Sequence, residues 1–66
     1  MKIWTLVWFL VFPPTDDGLV TWEASQERNL TQTQCFEMLA DRNAEFENSQ
    51  VNGVIAGFEI YCKENE

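Results

Sequence analysis

The 66-residue chain contains no histidine, and its thiols are limited to Cys35 and Cys62. A zinc site draws its ligands mainly from cysteine and histidine, so two cysteines alone argue against one. The lack of histidine also removes the commonest general base. With Ser25 and Ser49 as the only serines, no nucleophile and base fall at a spacing that would bring them together. Nothing marks a particular pair of carboxylates as acid and base, so the expectation is a protein that is not an enzyme and carries no cofactor. Cations are scarce as well: four Lys and Arg stand against eleven Asp and Glu, a formal net charge of -7. That balance repels phosphate and disfavours direct nucleic-acid binding. Asp16 and Asp17 are adjacent turn carboxylates without the spaced oxygen ligands of a calcium loop, so no metal ligand is assigned.

The chain also lacks a long apolar run. Its longest, Ile3 to Phe12, is about half of the roughly 20 residues that a helix needs to cross the hydrocarbon core. A secretory signal suits that length better, with Lys2 as a minimal positive region. However, the run ends in Phe12-Pro13-Pro14, and no Ala-x-Ala-like cleavage site precedes Asp16. Its Ile, Trp, Thr, Val and Phe residues favour a strand. The run is therefore expected to be retained as a strand, with an exported protein as the alternative.

What remains is the composition of one small domain spanning residues 1–66. The 45% apolar content is ordinary for a globular protein. So short a chain has too little buried surface for a large core, and extra support from a disulfide, a metal or a second subunit is usual at this size. Three Trp and five Phe imply a core built on a few large rings, and an apolar surface left over for a partner.

Four elements are expected. The first strand covers about Lys2 to Phe12 and is stopped by Pro13-Pro14, which remove amide donors. Thr15-Asp16-Asp17-Gly18 supplies a turn, with Asp-Gly as the hairpin cue. The second strand, about Leu19 to Ser25, alternates Val20, Trp22 and Ala24 with Leu19, Thr21 and Glu23. Ser25 to Asn29 reads as a polar loop. Thr31 with Gln34 then forms a capping box, Leu30 and Cys35 take the staple positions, and a helix is predicted from Gln32 to about Asn48. Asn52-Gly53 permits a turn. The last strand, about Val54 to Lys63, places Val54, Ala56, Phe58, Ile60 and Cys62 beneath the helix.

The order strand-strand-helix-strand predicts an α+β, ββαβ fold: a three-stranded sheet of order 2-1-3 with one helix on one face. The first strand is then central, which accounts for its two apolar faces: Ile3, Val7, Phe9 and Val11 on one, and Trp4, Leu6, Trp8, Leu10 and Phe12 on the other. A single helix covers only one. The second face is exposed, covered by loops or buried in a partner, and a homodimer through sheet faces is the plainest solution; Trp4 and Trp8 are taken as candidate residues of this aromatic docking face. Cys35 on the helix and Cys62 on the last strand are placed to form a disulfide. The alternative is two buried, reduced thiols in a reducing cytosol.

In these features the chain resembles a broad group of very small phage and prophage-encoded proteins. They begin with an aromatic-rich strand like Met1-Lys2-Ile3-Trp4-Thr5-Leu6-Val7-Trp8. They carry a cysteine early in a helix, as in Thr31-Gln32-Thr33-Gln34-Cys35, and end in a strand closing with cysteine, as at Ile60-Tyr61-Cys62. Some acidic members of that group inhibit host defence systems, anti-CRISPR proteins among them, which implies action in the host cytoplasm. No residue role is transferred by the resemblance. Asn29-Leu30-Thr31 matches a glycosylation sequon, but in a phage-like protein a chance match is the plainer explanation.

The acidic residues are the functional lead. Glu37, Asp41 and Glu45 recur every four residues, forming a row along the helix at about 6 Å per step. Glu47 lies to one side, and Asp16, Asp17 and Glu23 lie elsewhere. The row is either a solvated helix face or a phosphate-like surface for a basic host protein.

Overall fold

The computed structural model describes residues 2–65. Its elements are β1 (Ile3–Val11), β2 (Trp22–Leu30), α1 (Gln32–Val51) and β3 (Gly57–Asn65). The strands form one open sheet in the order β2-β1-β3, with β1 antiparallel to both neighbours. This is the ββαβ fold expected from the sequence, with the aromatic strand at its centre.

The β1–β2 hairpin is closed by local chemistry. The Gly18 amide donates to the Thr15 carbonyl at 2.8 Å, and the Thr15 amide to the Leu19 carbonyl at 2.9 Å. Gly18 lies at φ 82, so Asp16-Asp17-Gly18 is a three-residue loop ending in a glycine bulge. Between this loop and the sheet, Pro13 and Pro14 have no amide N–H to donate to the facing segment. Regular pairing therefore begins at Val11 and Trp22, later than the predicted start at Leu19.

The expected loop at Ser25 to Asn29 is instead the second half of β2, paired along β1 to Trp4. Its polarity conceals the strand because β2 is an edge that the helix barely covers, and every β2 residue except Leu30 is exposed. Near its end, Arg28 and Asn29 together face Thr5, since Trp4 pairs with Leu30 and Leu6 with Glu27. Asn29 takes φ 63 at this bulge, a conformation that asparagine tolerates better than most side chains.

The helix starts where the capping box predicts. The Gln34 amide donates to Thr31 Oγ1 at 3.1 Å, and the Thr31 amide to Gln34 Oε1 at 3.0 Å. It ends three residues beyond Asn48, at Val51, because Gly53 supplies a left-handed C′ position at φ 77. The Gly53 amide bonds the Gln50 carbonyl at 3.1 Å and the Val54 amide bonds the Ser49 carbonyl at 2.9 Å, a Schellman arrangement. Val54 to Ala56 thus belong to the helix exit, and β3 starts later than predicted. Val54 and Ala56 are exposed rather than beneath the helix, and Ile55 is buried in their place. From Phe58 onward the alternation holds.

The core is small: Leu6, Cys35 and Ile55 are its buried apolar residues among those described. Cys62 pairs with Leu6 across the sheet and stands at disulfide distance from Cys35, with Cα atoms 6.1 Å apart. Rings extend this core along the helix. Trp4 meets Phe36 at 5.6 Å, Trp8 meets Phe46 at 6.5 Å, and Phe46 meets Phe58 at 5.6 Å between centroids. With Cα extents of 48 × 20 × 11 Å, the molecule is a thin, long two-layer slab.

Candidate functional site

Two surfaces of opposite character lie on the two sides of this slab. On the helix side, Glu37, Asp41, Glu45 and Glu47 are all exposed. The inward stripe of Cys35, Leu39, Arg42 and Phe46 turns them toward solvent. Arg42, the only cation of the helix, sits with its guanidinium carbon 4.7 Å from the centre of the Trp8 ring. That contact draws it away from the acidic row, and an exposed cation–π pair contributes about 0.5–1 kcal/mol. Among the described residues the one ion pair joins Lys2 to Glu64 at 3.2 Å. Glu37, Asp41 and Glu45 therefore have no ion-pair partner there. Glu47 accepts a hydrogen bond from the Asn43 amide at 3.3 Å. Glu23 and Glu27 of β2 are exposed on the same side of the sheet, where Leu10 and Leu6 are their neighbours in register.

Asp16 and Asp17 occupy a different place, the tip of the hairpin, and no hydrogen bond or ion pair links them to the helix row among the described residues. The Thr15 hydroxyl donates to Asp17 Oδ1 at 2.5 Å. This bond, with help from a backbone amide, holds the Asp17 carboxyl below the usual aspartate value. It orders the loop. Among the described residues no group of three metal-ligand side chains converges, and no helix is long and apolar enough to cross a membrane.

The opposite side of the sheet has no helix. It carries Ile3, Val7, Phe9 and Val11 of β1, flanked by Trp22 and Ala24 of β2 and by Tyr61 of β3, following the pairing register. Phe9 stacks with Tyr61 at 6.5 Å and 27°. Trp22 is 68% and Tyr61 41% exposed. Between β1 and β2 lies an open hollow of about 350 Å³ lined by Val7, Phe9, Ala24, Ser25 and Gln26.

The placement of Trp4 and Trp8 corrects the sequence-based assignment. Both lie on the helix-covered face, against Phe36 and Phe46, so the aromatic part of the uncovered face belongs to Phe9, Trp22 and Tyr61. Both faces of β1 are apolar, so alternation alone does not say which one the helix takes. In the structure Cys62 stands at disulfide distance from helical Cys35, and its cross-strand neighbour Leu6 places Trp4 and Trp8 on that same face; the cysteines alone, without the β1–β3 register, do not make that choice.

The chain has no match among known protein families, curated proteins or solved structures. Its chemistry as described is that of two surfaces: one densely anionic and hydrated, the other apolar and open.

Proposed function

We propose that the chain is a small acidic binding protein, a phage-type inhibitor that occupies the basic, nucleic-acid-binding groove of a host defence or DNA-processing protein. The observation that carries this reading is the row Glu37, Asp41 and Glu45, exposed and without an ion-pair partner among the described residues. At about 6 Å per step it presents a line of negative charge on a rigid helix. Such a row steers association with a positive groove and loses strength in salt, because the screening length is about 8 Å at physiological ionic strength. The site of action is the host cytoplasm. The alternative is an exported protein, in which a Cys35–Cys62 bridge would persist.

The test is affinity capture from host lysate by the wild type and by a Glu37→Lys, Asp41→Lys, Glu45→Lys variant. The wild type retains a basic nucleic-acid-binding protein and releases it at high salt, whereas the variant does not retain it. Equal retention by both would overturn the proposal.

A second reading is an assembly role, in which the uncovered sheet face docks on an apolar surface. The exposure of Trp22 and Tyr61 beside Phe9 favours it. The two readings are compatible, since the acidic row and the apolar face point in opposite directions.

A further inference from the structure

We infer that the uncovered sheet face is an isologous dimer interface, occupied by a second copy of this chain in antiparallel orientation, with Glu59 of each copy facing Lys63 of the other. This rests on the assembly reading and names its partner.

The argument starts from the register. On the uncovered face β3 presents Glu59, Tyr61 and Lys63, opposite Phe9, Val7 and Thr5 of β1. Glu59 and Lys63 are therefore placed symmetrically about the row that contains Val7 and Tyr61. A two-fold axis through that row, in the plane between two stacked sheets and perpendicular to the strands, exchanges the two ends of each strand. Glu59 of one copy then lies over Lys63 of the other, twice per dimer, and neither residue has an ion-pair partner within its own chain among the described residues. Such self-complementarity is what a two-fold interface requires.

Side-chain sizes follow the same symmetry. Phe9 meets the Thr5 position of the second copy, where the Asn65 side-chain amide donates to the Thr5 hydroxyl and Thr5 is only 3% exposed. A large ring thus rests on a low, closed shelf. Ile3 meets Val11, both partly exposed in the single chain. Rotation about an axis along β1 gives a worse match. It places β3 over β2 of the second copy, so that Lys63 approaches the bulge at Arg28 and Glu59 has only Ala24 opposite it.

The area is adequate for a small interface. Three strands of nine residues make a footprint of roughly 30 by 14 Å, about 400 Å² per copy before side-chain relief is counted. Relief and the projecting Trp22 bring the pair to on the order of 1,000 Å², the lower bound of specific interfaces. Two sheets stacked about 10 Å apart make a four-layer sandwich with both acidic helices outside.

Sedimentation of the full chain across a concentration series tests this. The wild type is expected to move from 7.7 kDa to twice that mass. Glu59→Lys and Lys63→Glu, each alone, are expected to raise the dimer dissociation constant at least about tenfold by placing like charges together. The double exchange restores dimerisation, and mixing the two single variants yields a heterodimer. Binding of an apolar fluorescent dye, compared with Phe9→Lys, separates the two levels of failure. A wild-type monomer that binds dye through Phe9 overturns the second-copy inference and leaves the docking face to another partner, whereas a monomer that binds no dye overturns both. A dimer indifferent to the charge exchanges also overturns the inference.

Discussion

Single residues do most of their work in this chain at its turns and ends. Gly18 and Gly53, both at positive φ, close the hairpin and the helix, and Asn29 performs the same backbone task at the β2 bulge, which gives the sequon asparagine a structural role. Asp17 is set by one neighbour, Thr15. Because the Thr15 hydroxyl lowers the Asp17 value in the folded state, the stabilisation it gives is present above the unfolded value of about 3.9 and is lost as pH falls through the folded value. Carboxyl NMR titration is expected to place the Asp17 midpoint below that ordinary value, and Thr15→Val to move it upward. An identical midpoint in the variant would show that the hydroxyl does not set it.

Among the elements, those with strong local chemistry were legible in the sequence, and those shaped by neighbours were not. The capping box at Thr31 and Gln34 marked the helix start, and Asp-Gly marked the hairpin, since both motifs carry their own hydrogen bonds. The doubly apolar pattern of Ile3 to Phe12 placed β1 in the centre. The polar half of β2 was illegible because an edge strand with little helix above it needs no apolar alternation. The ends of α1 and β3 shifted together, since Gly53 serves the helix as its C′ residue rather than serving a strand turn. At the site, the acidic row was legible from its spacing, but placing Trp4 and Trp8 on the helix-covered face rather than the open one required the β1–β3 register. The Cys35–Cys62 pair, at disulfide distance between α1 and β3, also belongs to this scale. A bridge there, closing 27 residues of separation, would contribute roughly 3 to 4 kcal/mol on chain-entropy grounds. A Cys35→Ser, Cys62→Ser variant should lose about that much in denaturant unfolding. A loss below about 1 kcal/mol would show that the helix is held by its ring contacts alone.

For the whole molecule, the separation of character between the two sides of the slab matters most. A thin two-layer body with a core this small leaves both of its sides largely at the surface. As proposed, the acidic side goes to a basic groove and the apolar side to a second copy, which would present two acidic helices facing outward. Competition provides the most direct measurement of the central claim. A chain that occupies a nucleic-acid groove must exclude nucleic acid from it, so the captured basic protein is loaded with labelled duplex DNA and titrated with the wild-type chain at physiological salt. Displacement of the DNA in proportion to chain bound is predicted. A stable ternary complex, with DNA and chain held at once, would contradict the account.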